Sequence, residues 1–269
     1  MKNRGLLMLG IVTFGYAFLY VPLISVIVYS FNDSRLVTLW GGFSLRWYGV
    51  LLEDGEVLAA AWLSLKIATI TATVSVIFAT LLALGLNRLG RFQGRALLTM
   101  IMTGLLVLPE IIFGISVLFL FISMGEWIGW PTTRGATTIT IAHITFATGF
   151  AAVVIRTRLG ALDQSLEEAA MDLGARPLRT FFDITIPAIA PAMIAGWLLA
   201  FTLSLDDVVT ASFVSGPGST TLPMLIFSKV RLGVTPDVNA LATVIIVLVS
   251  VGVVLAAVIT RKKPKPDLA

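Results

Sequence analysis

The sequence predicts an all-α, polytopic membrane protein with six transmembrane helices, and three observations carry that reading. Hydrophobic residues make up 57% of the 269 positions and charged residues only 13%, with a mean hydropathy of +0.97. A soluble domain carries roughly a quarter charged residues, so no globular surface could be covered from this composition. Six apolar stretches each reach the about 20 residues that a helix needs to cross a bilayer core. Basic residues gather at one set of span ends, the pattern that orients membrane helices.

The spans run Leu6–Ser30, Val57–Leu86, Ala96–Met124, Ala136–Ile155, Ala188–Val214 and Val238–Thr260. Their length and hydrophobicity predict helices, because barrel strands are about ten residues long and alternate. Lys2 and Arg4 before the first span look like the start of a signal peptide. That span is too long for a signal core and shows no small-x-small cleavage site, so it reads as uncleaved. Pro22, Pro109 and Pro191 fall within or near the starts of spans, where neighbouring helices can satisfy the carbonyls that a kink frees.

One side of the membrane would hold Lys2, Arg4, Arg88, Arg91, Arg95, Arg156, Arg158, Arg176, Arg179, Arg261, Lys262, Lys263 and Lys265. The other would hold Arg35, Arg46, Arg134, Lys229 and Arg231, with Lys66 inside a span. The positive-inside rule then places both termini in the cytoplasm. The net charge of +4 is topological and does not point to nucleic acid. No cysteine is present, so disulfides and thiolate metal sites are excluded. Residues 1–260 read as one transmembrane domain and 261–269 as a short basic cytoplasmic tail.

The long cytoplasmic connection, Arg156 to Pro187, is dense in charge and in helix punctuation. Ser165 with Glu168 three residues on predicts a capping box. Gly174 suits a left-handed helix end, and Pro177 suits the first turn of a second short helix. The physical reading leaves two uses open: an amphipathic surface resting on lipid headgroups, or a docking element built on Ala169, Ala170 and Leu173.

Glu168-Ala169-Ala170, Gly174 and then Ile184-Thr185-Ile186-Pro187 resemble the EAA loop of binding-protein-dependent ABC importer permeases, with Ile186 where Leu is usual. The resemblance implies the type I importer permease fold. It also implies that this loop is a coupling helix seated on an ATP-hydrolysing subunit, with Glu168, Ala169, Ala170, Asp172, Gly174 and Pro187 as the coupling residues. The chain has no G-x-x-x-x-G-K-[ST] phosphate loop, so it is expected to be a transport subunit without catalytic or metal-binding residues. ATP and Mg would be bound by the partner.

Ionisable groups inside spans are costly and suggest function. They are Lys66, Glu110, Asp206 and Asp207, with His143 read as a hydrogen-bonded packing residue. A mid-span Asp costs about 2.5–3.5 kcal/mol on insertion scales, and two in a row also repel. At 1.5 Å per residue, Asp206 lies roughly 27 Å along its span and Glu110 roughly 20 Å along its own, both in the outer half of the membrane. Neighbours on a helix differ by about 100° in direction, so one aspartate points squarely into a path, and we assign Asp206. Lys66 reads as a snorkelling residue or an internal counter-charge; the alternative for the aspartates is a packing pair neutralised by Lys66 or by a shared proton. Trp40, Trp47 and Tyr48 in the first external loop could cage an ammonium group by cation–π attraction or form the interfacial aromatic belt.

Three acids spread along a conduit suit a small polycation. The segments "YVPLISVIVYSFN", "SLEEAAMDLGARPLRTFF" and "LAFTLSLDDVVTASFVSGPGSTTLPMLIFSKVRLGVTP" are similar to those of polyamine importer permeases. That resemblance implies import of putrescine or spermidine across a bacterial inner membrane, two copies of an ATPase, a second permease chain of a different sequence, and a periplasmic polyamine-binding protein. Membrane lipid is the remaining partner. The competing readings are an importer of the same family for iron or an oxyanion, and an ion-coupled cation transporter. An oxyanion path would need more cationic groups than Lys66, and an ion-coupled carrier has no use for a coupling loop.

Overall fold

A computed structural model of the chain describes residues 2–36, 39–90, 92–233 and 235–260, with side chains described within 8–251. Arg91 and the basic tail from Arg261 lie outside the described residues, as do the side chains of Lys2 and Arg4. Among the described residues the chain is helical throughout, and its one β feature is an isolated bridge between Asn32 and Phe43. Contacts divide it into two compact units.

The first unit comprises residues 1–58 and 226–269. Helix α1 (Lys2–Ser30) packs against α12 (Pro236–Thr260), which also meets the short α2 (Arg46–Glu53). The segment between α1 and α2 folds around Asn32, which is fully buried. Its amide nitrogen donates to the Leu39 carbonyl at 2.7 Å, and its side-chain oxygen accepts the Gly41 N–H at 2.7 Å. Lys229, on α11 (Leu222–Leu232), donates to Asp54 at 3.0 Å and to Asp237 at 3.3 Å. Burial pushes the Asp54 carboxyl up, but the Val57 N–H and the Lys229 ammonium outweigh it and hold it below its ordinary value. Lys229 is raised despite its burial by the two carboxylates. The Asp54 contribution to stability is thus lost as pH falls through its lowered value, and that of Lys229 as pH rises through its raised one.

The second unit, Ala59–Leu225, holds most of α3 (Gly55–Arg88), then α4 (Arg95–Val107), α5 (Glu110–Ile128), α6 (Ala136–Gly160), α7 (Ser165–Asp172), α8 (Pro177–Thr180), α9 (Ile186–Leu205) and α10 (Val209–Val214). Its centre is a seam of small residues: Ala72 of α3, Ala147 of α6 and Ala200 of α9 are buried together. Lipid gives apolar helices no hydrophobic drive to associate, so close backbone approach and interhelical hydrogen bonds do that work. A Cβ at Gly196 would sit 3.6 Å from Ala151 and one at Gly149 would sit 3.3 Å from Leu105, so both glycines are close-packing points. Ser75 donates to the Ile144 carbonyl at 3.2 Å, Trp197 to Thr73 at 3.1 Å, and Thr138 to the Val214 carbonyl at 2.7 Å.

Five helical segments are long and apolar enough to cross a membrane: Met8–Ser30, Gly55–Arg88, Glu110–Ile128, Ala136–Gly160 and Pro177–Leu205. The apolar helices Arg95–Val107 and Pro236–Val251 are shorter among the described residues. The expected third span, Ala96–Met124, is therefore two helices. Leu108 is extended and Pro109, which lacks an N–H, caps α5. The expected fifth span, Ala188–Val214, is also interrupted, between Leu205 and Val209.

Tightness at one turn yields a prediction. A Cβ at Gly216 would fall on the carbonyl oxygen of Arg134, which is backbone and cannot rotate away. Gly216→Ala should therefore cost about 1–3 kcal/mol as overpacking and lower the thermal unfolding midpoint in detergent. Gly104→Ala, which would meet nothing within 4 Å, should not lower it.

Candidate functional site

Both helix interruptions open on one cavity of about 420 Å³ in the second unit. Glu110, Asp206 and Asp207 line it with Phe146, Phe150 and Leu203, and no cationic side chain does. Glu110 is the first residue of α5, where the helix dipole favours a carboxylate. Asp206 ends α9, its N–H bonded to the Thr202 carbonyl, and its side chain is exposed. Asp207 is only 6% exposed and lies beside Glu110. Its carboxylate accepts the Ala211 N–H at 2.8 Å, satisfying one of the free amides at the start of α10. The backbone turn between the helices, not the 100° step of a continuous one, separates the two aspartates. Phe146 stacks between Phe113 and Phe150, giving the cavity an aromatic wall.

Sequence reasoning gave no role to His143. It is 3% exposed, its Nδ1 lies 2.8 Å from Ser204 Oγ, and its Nε2 faces Asp207 Oδ1 at 3.6 Å. The hydrogen-bonded packing residue expected from sequence is thus also a neighbour of the carboxylate pair. Lys66 is exposed and forms no ion pair among the described residues, so it does not neutralise the aspartates.

The three aromatic candidates belong to the first unit and do not form a cage. Trp47 is buried, donates its indole N–H to the Asn32 carbonyl at 2.7 Å, and has the Arg46 guanidinium 5.3 Å above its ring. The Tyr48 hydroxyl is 2.7 Å from Ser30 Oγ, and its ring packs on Phe31. Trp40 is exposed and meets Tyr29 edge-on. Trp47 and Tyr48 are committed to the fold of this loop.

The loop between α6 and α9 is a helix, a turn and a helix, as the sequence predicts, but its start is built differently. The capping box does not form: the N-cap position is Gln164, with no side-chain bond to the helix. Asp163 accepts the Ser165 N–H at 3.0 Å instead, which holds its carboxyl below the ordinary value. Gly174 takes φ +89°, with bonds from its N–H to the Met171 carbonyl and from the Ala175 N–H to that of Ala170. This pair is the Schellman ending that only glycine adopts without strain. Pro177 opens α8 as expected. A single π turn, Phe181–Thr185, then leads into α9. Pro187 explains it, because proline has no N–H for the Asp183 carbonyl and its ring crowds that carbonyl.

Glu167, which the sequence did not single out, anchors α7. It accepts from Arg88 at the end of α3 at 3.0 Å and from the Thr185 hydroxyl in the π turn at 2.8 Å. Asn87 and Arg156 clamp α3 to α6 beside it, the Asn87 amide donating to the Arg156 carbonyl at 3.1 Å. Ala170 is half-buried, whereas Glu168, Ala169, Asp172 and Pro187 are exposed. Leu173 at 90% and Leu178 at 74% exposure flank the turn. Two large apolar side chains thus stand out on a charged loop.

The sequence profile of the binding-protein-dependent transport system inner membrane component matches residues 75–262. The putrescine transport system permease protein PotI of Escherichia coli (strain K12) is 56% identical over 244 residues, covering 91% of this chain and 86% of that protein. The spermidine/putrescine transport system permease protein PotC of the same strain is 41% identical over 256 residues, covering 95% and 94%. Among solved structures, a bacterial ABC transporter involved in the import of the acidic polysaccharide alginate superposes with a TM-score of 0.73 at 18% identity, over 97% of both chains. That likeness concerns the fold.

The anchoring of α7 can be measured directly. Glu167→Ala removes two bonds, one of them to a charged donor, and should cost about 1–3 kcal/mol locally. Backbone amides of residues 165–172 should then exchange with deuterium faster than in the wild type, while Glu168→Ala, whose side chain makes no bond among the described residues, should leave exchange unchanged. Equal exchange in Glu167→Ala and wild type would show that α7 is held by other contacts.

Proposed function

Since the chain belongs to the family of binding-protein-dependent transport system inner membrane components, we propose the following assignment for it. It is the permease subunit of an ATP-driven polyamine importer, carrying putrescine or spermidine. The observation that carries this reading is the cavity where two interrupted helices place three carboxylates and an aromatic wall without any cationic side chain. An acidic cavity attracts cations and repels anions. An aliphatic diamine matches both halves of the lining: its ammonium groups meet the carboxylates, and Phe146 and Phe150 can add cation–π contacts. The names of the PotI and PotC relatives point to the same substrate class. An oxyanion finds no donors of positive charge there, and iron would find carboxylates against phenyl rings that offer no ligand atoms.

In this reading Asp206, Asp207 and Glu110 form the substrate path. Trp40, exposed in the other unit, is the remaining aromatic candidate. The face around Ala169, Ala170, Leu173 and Gly174, with Glu168 and Asp172 on its rim, receives a cytoplasmic ATPase present in two copies. ATP and Mg stay with that subunit. A second permease chain completes the path, and a periplasmic binding protein delivers the substrate. In the same reading both termini lie in the cytoplasm of a bacterial inner membrane, which the basic span ends support.

Uptake of labelled putrescine into vesicles holding the assembled transporter tests both ends of the scheme. Asp206→Asn should lower uptake by roughly tenfold or more, equivalent to about 1.4 kcal/mol of lost stabilisation of the moving cation. Glu110→Gln should cost less and Glu110→Asp least. Gly174→Leu, strained at a positive φ, and Glu168→Lys should abolish substrate-stimulated ATP hydrolysis while the chain still inserts. Normal uptake by both Asp206→Asn and Asp207→Asn would remove these acids from the path, and normal copurification and transport by both loop variants would remove the loop from coupling.

A further inference from the structure

The buried polar group behind the cavity has a direction built into it. His143 projects from α6 into the seam with α9, and its two nitrogens face different partners. Ser204 Oγ forms no other side-chain hydrogen bond among the described residues. This hydroxyl can donate to His143 Nδ1, which leaves the ring hydrogen on Nε2, or accept from an Nδ1–H. The opposite tautomer would aim the bare Nε2 lone pair at the buried Asp207 carboxylate, a repulsive arrangement. Nε2 has no partner within hydrogen-bond distance, and Asp207 Oδ1, which faces it at 3.6 Å, already takes the Ala211 N–H.

We propose that His143 is a positioning residue for the acid pair: held as the Nε2–H tautomer by Ser204, it fixes Asp207 as a stationary charge and leaves Asp206 to meet the cation. The division follows from burial, since Asp207 is enclosed with two donors aimed at it while Asp206 is exposed at the helix end. Two mobile carboxylates in one cavity would compete for the same ammonium group or share a proton between them. One fixed charge and one mobile charge instead give a diamine a defined order of contact. The groups facing Asp207 from the elements around it are Glu110 from α5, Asp206 from the same turn and His143 from α6. His143 is the one among them that carries a nitrogen donor. The inference rests on the cavity being the cation site.

The test is a double-mutant cycle read by labelled putrescine uptake in vesicles with the complete transporter. His143→Leu, which deletes the donor, should raise KM roughly tenfold, the scale of a hydrogen bond to a charged group, with Vmax per assembled complex little changed. His143→Gln, which restores an N–H near the same place, should recover most of the affinity. In an Asp207→Asn background, His143→Leu should add nothing further. A wild-type KM in His143→Leu, equal loss in His143→Gln, or full additivity with Asp207→Asn would each overturn the assignment. If His143→Leu does not assemble, Ser204→Ala carries the cycle in its place, since it removes only the hydroxyl that sets the tautomer; it should raise KM in the wild type and not in Asp207→Asn, and any other pattern overturns the assignment. Asp206→Asn run in parallel separates the two readings: normal uptake there ends the cavity as a cation site, whereas additivity at His143 ends only the positioning role.

Discussion

A carboxylate among apolar helices must find donors, and in this protein the requirement is met by breaking a helix. Asp207 accepts the Ala211 N–H, a group that an uninterrupted helix would already have used for its own ladder. The interruption between α9 and α10 and the acid inside it are thus one arrangement: the break frees the amide, and the amide accommodates the charge. Irregular backbone is tolerated at membrane depth only where it is buried in protein or lines a cavity. The second break, at Leu108 and Pro109, satisfies the same condition on the facing side and places Glu110 at the favourable end of its helix. The cavity is where both conditions are met.

Helix α9 joins this site to the loop. It begins at the π turn whose Thr185 hydroxyl is bonded to Glu167, and it ends at Asp206. A 20-residue helix is about 30 Å long, and this one is braced along its length by the alanine seam against α3 and α6. Glu167 ties the same loop to α3 through Arg88. A push on α7 therefore reaches two of the three helices of the seam through specific bonds, rather than through loose packing.

Composition and periodicity made the class of the protein legible, because so little charge leaves only a membrane to cover the surface. The turn chemistry was legible too: Gly174 and Pro177 occupy the positions that a left-handed helix end and a helix start require. The two breaks were not, since hydropathy stays high across residues 105–113 and on either side of the Asp206–Asp207 pair, and a window that averages over a span cannot register two or three non-helical residues. Pro109 followed by Glu110 was the available signal, because proline before an acidic first turn is a helix start. The cap at Asp163 and the anchor at Glu167 were hidden by the density of charge around them: four acids within ten residues give sequence no means of choosing which one turns inward. His143 and Ser204 are 61 residues apart, and only packing of α6 on α9 makes them neighbours.

The π turn at Phe181–Thr185 bears on the length of the connection. Such a turn carries one residue more than the α-helical turn it replaces, so it acts as a counted insertion between the loop and α9. Each residue added to or taken from a helix turns everything beyond it by about 100°. Loss of one residue within the π turn would let it relax to regular helix with α9 in nearly the same phase, whereas loss of one residue from α9 itself would turn Asp206 away from the cavity although no residue of the site had changed. The π turn is thus a place where the connection between loop and cavity can absorb a one-residue change in length, and the regular helix from Pro187 to Asp206 is not.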